Sequence, residues 1–187
     1  MTGFSKDNTT IFSIDMNNGF AKEGALASRR VFDLIAPTAA FLDRAKSAGI
    51  EIIGLTDSHD PDSLEFSDYP PHCLAGSVES DIVAELKPFM DRIIPKNSTN
   101  AFFAFDGPYL DGFSYIITGC CTDICIYQFA VTLRAYLNHH RINARVIVPR
   151  DLSDTFDAEG HDAAAINEIF FASMAANGVE VPANIIL

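Results

Sequence analysis

Short apolar runs alternate along the chain with segments whose apolar residues recur at helical spacing. This pattern predicts strands at 10–15, 51–57, 92–95, 113–119 and 144–149, with a further candidate at 179–181. It predicts helices at 30–48, where Gly49 would act as the C-terminal cap, and at 78–86, 123–138 and 161–177. Strands and helices that alternate in this way form a parallel sheet with helices on both faces. We therefore expect an α/β fold, a three-layer α/β/α sandwich around a mainly parallel sheet of about six strands.

The length and composition favour one compact domain that spans residues 1–187. A chain of 187 residues of which 48% are hydrophobic can bury a substantial core. The formal net charge of −12 would repel nucleic acid and anionic membranes, so we expect neither as a partner. No apolar stretch is long enough to span a bilayer, and residues 1–10 lack the hydrophobic core of a signal peptide. These features predict a cytoplasmic protein.

Three of the four cysteines lie where a predicted strand meets a helix. Cys120 and Cys121 follow the strand, and Cys125 falls in the first turn of the helix. A thiol there lies at the positive end of the helix dipole, which lowers its pKa, and free backbone N–H groups nearby can bind an oxyanion. Acyl transfer through a thiol requires both features. The alternative is an inert, packed Cys125, which the local pattern alone favours.

A carboxylate and an ammonium group could complete such a site. Asp15 ends the first predicted strand and could accept the thiol proton, and the alternative role is a turn or capping carboxylate. Lys96 follows the third strand and could stabilise a thiolate, and the alternative is an exposed lysine. Because active sites of parallel sheets lie beyond the carboxyl ends of the strands, we expect Asp15, Lys96 and Cys125 to meet there.

A polar loop after the second strand carries a candidate metal site. Asp57 and His59 are two residues apart, and Glu65 and His72 follow. Carboxylate and imidazole ligands in one group suit Zn, Fe or Mn, whereas the alternative is a loop whose histidines are solvated. Spacing alone leaves these two interpretations evenly balanced. We interpret Cys73 as a packing residue. The remaining histidines are set aside because they fall at predicted helix ends: His139, His140 and His161.

Taken together, these blocks resemble the isochorismatase-like cysteine hydrolases over nearly the whole chain. The resemblance is carried, in order, by IDMNNGF at 14–20, the candidate metal loop, Lys96 and TDIC at 122–125. It implies the Rossmann-like hydrolase fold of that family, with Asp15, Lys96 and Cys125 as a catalytic triad. It also implies an oxyanion hole formed by the backbone N–H groups of Cys121 and Cys125, and a cis peptide bond between Cys120 and Cys121.

Within that family the metal loop resembles the nicotinamidase branch. The resemblance implies one divalent metal ion, zinc before iron or manganese, held by a group of four residues: Asp57, His59, His72 and Glu65. Phe20 and Tyr69 stand where nicotinamidases place aromatic residues against the pyridine ring, although many of them have Trp or Phe in place of Tyr69. Ordinary core packing is the alternative role for Phe20.

The resemblance implies an amidohydrolase that cleaves a small carboxamide, nicotinamide first, through a thioester on Cys125. Another small amide or N-carbamoyl compound is the alternative substrate, and a non-catalytic binding domain is the alternative from another class. A domain without activity has no chemical need for all three triad residues. Vinyl-ether hydrolysis is disfavoured because that branch lacks the cysteine and the metal group. A homo-oligomer is also expected, with apolar surface from the phenylalanines at 102–105 and 170–171, whose alternative place is the core.

Overall fold

The computed structural model describes residues 3–187, which contain a central sheet of five strands. The strands are Thr9–Ile14 (β1), Glu51–Asp57 (β2), Arg92–Lys96 (β3), Ser114–Gly119 (β4) and Arg145–Ile147 (β5). Their order across the sheet is β3-β2-β1-β4-β5, and every neighbouring pair is parallel. Strands β1 and β4 are buried along their whole length, as expected for the centre of a parallel sheet covered on both faces.

Helices cover both faces of this sheet. They are Asn18–Ala21 (α1), Arg29–Asp33 (α2), Ile35–Ser47 (α3), Tyr127–His140 (α4) and Ala163–Ala176 (α5). Phe41 and Leu42 of α3 belong to the same core as Ile11 of β1, whereas α4 and α5 pack in a second core that contains Phe12. Ile11 and Phe12 lie in different cores because successive side chains of a strand point to opposite faces. The predicted three-layer α/β/α sandwich is confirmed.

Two predicted elements differ from the observed ones. Residues 78–86 form turns instead of a helix, and the Val83 N–H donates to the Met16 carbonyl oxygen at 3.0 Å. This segment therefore satisfies its backbone against the chain that follows β1. The candidate strand at 179–181 is reduced to a single bridge between Ile147 and Glu180. Pro182 has no N–H with which to extend that pairing.

Two helix boundaries were also predicted imperfectly. The helix predicted at 30–48 is divided into α2 and α3 at Leu34, and it ends, as predicted, before Gly49, whose φ of 72° suits a C-terminal cap. The helix predicted from 123 begins with a π-helical turn, Thr122–Ile126, which we call the π turn and which leads directly into α4.

The chain connections reverse direction between β1 and β4, because β2 and β3 lie on one side of β1 while β4 and β5 lie on the other. In open parallel sheets, ligands bind in the crevice beyond the strand ends at such a point. Gly119 ends β4 there with φ 118°, and a Cβ atom on it would lie 1.9 Å from the Ile14 carbonyl oxygen. Only glycine therefore allows the ends of β1 and β4 to approach this closely.

Two predictions concern surfaces. Across residues 3–187, none of the helices combines the length and the apolar character that crossing a membrane requires. Among the phenylalanines considered for an interface, Phe105 and Phe171 are buried, whereas Phe103 is 80% exposed. The homo-oligomer stays a prediction.

Candidate active site and metal centre

The structure brings Asp15, Lys96 and Cys125 together beyond the carboxyl ends of the strands. Asp15 follows β1 in the left-handed region at φ 52°, with its N–H bonded to the Leu55 carbonyl oxygen at 2.9 Å. Lys96 is the last residue of β3, and Cys125 lies in the π turn after β4. An aspartate tolerates a left-handed conformation better than most residues, so this position suits the residue type.

Lys96 connects the three side chains. Its ammonium nitrogen lies 2.8 Å from Asp15 Oδ2 and 3.9 Å from Cys125 Sγ, and it donates to the Ser98 carbonyl oxygen at 3.0 Å. It also donates a hydrogen bond to Asp57 Oδ1. The lysine is only 3% exposed, so the alternative of an exposed lysine is wrong. A buried ammonium group requires such paired carboxylates.

Burial controls the ionisation of this site. Burial and the neighbouring Asp57 carboxylate together raise the pKa of Asp15 to about 7, although the Lys96 ammonium opposes the rise. Burial also raises the pKa of the Cys125 thiol well above its usual range, although the Lys96 ammonium opposes the rise. The expectation that the helix start lowers the pKa of this thiol is therefore wrong. For Asp57, burial acts in the same direction, but the Lys96 ammonium and the neighbouring histidines outweigh it and hold the pKa below its usual value.

The π turn holds Cys125 beside a second cysteine. Cys121 precedes the turn in an extended conformation, and its carbonyl oxygen accepts the Ile126 N–H at 3.1 Å, five residues on. The peptide bond between Cys120 and Cys121 is cis, as the family resemblance implied. The Cys120 thiol donates to the Asp15 carbonyl oxygen at 3.1 Å. The segment that leads into the turn is thus bonded to the residue that follows β1. The oxyanion role of Cys121 and Cys125 stays a prediction.

The four loop residues predicted as metal ligands lie together. Asp57 Oδ2 is 3.5 Å from His59 Nε2 and 3.6 Å from His72 Nε2, and Glu65 Oε1 is 3.9 Å from His59 Nε2. One potential ligand atom from each residue lies within 4.8 Å of all the others. Two imidazole nitrogens and two carboxylates in this volume match the ligand preferences of zinc, iron or manganese.

The orientation of both imidazoles fits a metal ion. His59 Nδ1 lies 3.0 Å from Asn97 Oδ1, and His72 Nδ1 lies 2.8 Å from the Pro70 carbonyl oxygen. Both contacts require a protonated Nδ1, so Nε2 of each ring is left as an acceptor. Within the described part of the chain, buried His59 Nε2 has no hydrogen-bond partner. A buried acceptor with no hydrogen-bond partner is expected of a histidine that binds a metal ion through that atom.

One cavity of about 480 Å³ connects the two groups of residues. Asp15 and Cys125 line it, together with Asp57, Glu65 and His72. The proposed ring-binding residues line it as well: Phe20 and Tyr69. Lys96 and His59 lie behind this surface, where they contact the lining residues. A small molecule in the cavity would therefore touch the thiol and the candidate metal ligands together.

Three contributors were missed by sequence reasoning. Phe156 lines the cavity from the loop before α5, and Phe66 packs edge-on against His59 at a ring-centroid distance of 5.4 Å. Asn97 holds His59 through the contact described above. Only Asn97 carried a signal in the sequence, because it directly follows Lys96. Aromatic residues in loops give no periodic pattern from which their partners could be read.

Comparison with known proteins points to one family. The Isochorismatase domain model matches residues 9–178. Nicotinamidase 1 of Arabidopsis thaliana is 32% identical over 103 residues, a match that covers 47% of this chain and 42% of that protein. The chain thus matches less than half the length of this curated relative.

Solved structures show the same fold. PnC1 from L. infantum in complex with nicotinate superimposes with a TM-score of 0.76 at 20% identity, covering 98% of each chain. The pyrazinamidase of Pyrococcus horikoshii in complex with zinc gives a TM-score of 0.72 at 18% identity, covering 93% of this chain and 98% of the other. At these identities the similarity establishes the fold, and the chemistry must be argued from the site.

Proposed function

The chain belongs to the isochorismatase-domain family, and from that premise we propose that it is a cysteine-dependent amidohydrolase acting on a small carboxamide. The observation that carries the proposal is the contact of one buried ammonium, Lys96 Nζ, with both Asp15 and Cys125 in the lining of a cavity. A thiol, a base and a cation in this arrangement suit nucleophilic acyl transfer. A non-catalytic domain would gain nothing from burying these charges.

Nicotinamide is the proposed substrate. Phe20 and Tyr69 offer aromatic surface for a flat ring, with Phe20 placed 5.5 Å and Tyr69 placed 6.2 Å from the His72 ring centroid. A divalent ion, zinc first, held by Asp57, His59, Glu65 and His72 would supply a Lewis acid that binds the ring nitrogen and orients the substrate. The relative from Arabidopsis is named a nicotinamidase, which agrees with this choice. Such an activity belongs to NAD salvage.

In the first half-reaction, Cys125 Sγ attacks the carboxamide carbon and its proton passes to Asp15. The raised pKa of this thiol makes the proton transfer necessary, and the pKa of Asp15 near 7 suits a group that both accepts and returns a proton at neutral pH. The negative charge that develops on the carbonyl oxygen is stabilised by the backbone N–H groups of Cys121 and Cys125. Asp15 then returns the proton to the leaving nitrogen, the C–N bond breaks and ammonia departs.

In the second half-reaction, a water molecule attacks the thioester on Cys125. Asp15 takes one proton from the water and the C–S bond breaks, so the acid is released and the proton returns to the thiol. Lys96 stays protonated throughout. Burial disfavours its charge, but the paired Asp15 and Asp57 carboxylates outweigh burial and raise the pKa of Lys96 well above the usual value. Its role is to hold Asp15 in place beside the thiol.

The proposal is tested by ammonia release from nicotinamide, measured beside Cys125→Ala and a Cys73→Ala control. Cys73 is also buried and free, but it packs away from the cavity with its thiol 3.5 Å from the Glu79 carbonyl oxygen. We expect loss of ammonia release with Cys125→Ala and retention of it with Cys73→Ala. Equal activity of wild type and Cys125→Ala would refute the nucleophile.

A substrate panel separates the substrate from the chemistry. Pyrazinamide and N-carbamoyl amino acids are tested beside nicotinamide, with Cys125→Ala as the control in every case. Release from an N-carbamoyl compound, with none from nicotinamide, would keep the cysteine hydrolase and replace its substrate. A wild-type protein that releases ammonia from none of them would refute the amidohydrolase assignment.

A further inference from the structure

His161 makes two hydrogen bonds near the cavity, one with each ring nitrogen. Nε2 lies 3.0 Å from Asp123 Oδ2, and Nδ1 lies 2.8 Å from the Phe156 carbonyl oxygen. The ring also stacks on the Phe156 ring, with a centroid distance of 4.1 Å and an interplanar angle of 3°. The sequence pattern alone indicates only that this histidine lies near the start of a helix.

Both partners of His161 are acceptors. A carbonyl oxygen has no proton to give, and neither has a carboxylate in its ionised form, so each ring nitrogen must donate. Only the imidazolium form donates from both nitrogens. Burial lowers the pKa of His161, but the Asp123 carboxylate and the Phe156 carbonyl outweigh burial and raise it. Geometry and electrostatics therefore indicate the same charged state.

Asp123 connects this pair to the nucleophile. It lies in the π turn two residues before Cys125, and its second oxygen, Oδ1, accepts the Thr155 hydroxyl at 2.6 Å. Thr155 is fully buried, and the neighbouring Asp154 carbonyl oxygen accepts the Thr122 N–H of the π turn at 3.1 Å. The π turn and the loop before α5 are thus fastened together at three points.

That loop forms one wall of the cavity. Phe156, Asp157 and Ala158 line it together with Phe20 of α1 and Tyr69 of the metal loop. Ala158 and His161 close the loop on itself through two backbone hydrogen bonds of 3.0 Å. The His161 ring, which stacks on the Phe156 ring and bonds to its carbonyl oxygen, therefore contributes directly to the position of Phe156.

We propose that His161 is a positioning residue that, as an imidazolium bridging Asp123 and Phe156, holds the Phe156 wall in place against the cavity beside Cys125. The proposal rests on the proposed function in one respect: the wall is taken to contact the substrate ring. His161 does not touch the reacting atoms, so its loss should weaken substrate binding more than it slows the chemistry.

Charged groups approach this part of the molecule from two neighbouring elements. Asp123 is the one that faces the His161 ring from the π turn. From α2, the Arg30 guanidinium faces the wall loop instead, 3.0 Å from Asp154 and 3.6 Å from Asp157. Because the pKa of His161 is raised, the bridge is complete below that pKa and is lost as the pH rises through it.

The kinetic test compares His161→Gln with His139→Gln, an exposed histidine at the end of α4. Glutamine can donate to one of the two acceptors but cannot span both. We expect KM to rise about tenfold with His161→Gln, the worth of one charge-assisted hydrogen bond, with kcat changed much less. The control should match wild type. An unchanged KM, or a loss confined to kcat, would overturn the proposal.

The second test does not depend on turnover. Ring ¹⁵N chemical shifts of His161 are recorded near neutral pH. The His161 signal is identified as the one that His161→Gln removes or, if that variant does not fold, by the contact of the His161 ring with the Phe156 ring. Doubly protonated nitrogens support the bridge, and a neutral tautomer overturns it.

Calorimetric binding of pyridine-3-carboxaldehyde to wild type and His161→Gln then tests the wall without any amidase activity. Equal affinities would overturn the role of the wall, whereas absent amidase activity with a charged His161 would count against the proposed function alone.

Discussion

Asn97 offers a test of the metal centre that leaves all four candidate ligands in place. Its Oδ1 accepts from His59 Nδ1 at 3.0 Å, while its Nδ2 donates to Asp60 Oδ2 at 3.1 Å. The Asp60 N–H points to the same oxygen at 3.4 Å, which identifies that atom as the acceptor. Asn97→Ala removes the acceptor that orients His59 with Nε2 toward the other ligands. We expect weaker metal binding without loss of the fold.

The magnitude follows from the contacts. One neutral hydrogen bond contributes about 0.5–1.5 kcal/mol, and freedom of the imidazole to rotate adds to the loss. The Asp60 contacts are exposed, so their removal should change little. Outer-shell partners of metal-bound histidines are typically worth about 10–100-fold in affinity. We therefore expect the Kd for Zn²⁺ to rise about 10–30-fold, which corresponds to about 1.4–2 kcal/mol.

The assay is competition for Zn²⁺ against a chromogenic chelator at constant pH. Asn97→Asp, which keeps an acceptor for His59 Nδ1, should bind at least as tightly as wild type. Asn177→Ala at the end of α5 is the matched control, because it also loses an exposed side-chain hydrogen bond of 2.8 Å, far from the metal ligands in sequence. An Asn97→Ala protein that folds normally and binds Zn²⁺ within about twofold of wild type would refute this reasoning. A wild-type protein that binds no Zn²⁺ would refute the metal centre itself.

Two further predictions concern stability. Lys96→Met leaves the buried carboxylates of Asp15 and Asp57 without their shared cation, and breaking such a contact costs about 3–5 kcal/mol, or roughly 6–20 °C in Tm for a chain of this size. Thermal unfolding in the presence of a chelator measures it, and a Tm equal to that of wild type would contradict the electrostatic account. Gly119→Ala should cost about 3 kcal/mol in urea unfolding, because its Cβ would lie 1.9 Å from a backbone oxygen of β1. Gly160→Ala, also at positive φ but with no atom within 4 Å, should cost only about 1 kcal/mol, and equal losses in both variants would show that the close contact is unimportant.

The residues of the proposed catalytic triad were predictable because each lies at or just past the end of a predicted strand. Asp15, Lys96 and Cys125 are far apart in the sequence, but parallel strands bring their carboxyl ends to one edge of the sheet. Strand prediction therefore placed them together without any knowledge of distances. The same reasoning did not indicate that Lys96 would also pair with Asp57 and thereby join the proposed triad to the candidate metal ligands.

The segment 78–86 shows where local pattern fails. Its apolar residues Ile82, Val83 and Leu86 recur at a spacing that suits a helix, and all three are buried. Their burial is achieved against the chain after β1, where an isolated bridge joins Ile82 to Asn17. Tertiary contacts of this kind override the preference of an isolated segment, because they satisfy both its side chains and its backbone.

The sequence by itself determined the family resemblance, the layers of the fold and the residues at the strand ends. The spacing of the apolar residues within a strand or helix indicates which of its faces is buried, so these features could be predicted locally. Only the tertiary structure decided the ionisation of the site and the contacts between loops. Burial reverses the expected shift in the pKa of Cys125, and His161 is joined to Asp123 across 38 positions of the chain. Desolvation and hydrogen bonding depend on every element that packs around a group, and local sequence does not specify those neighbours.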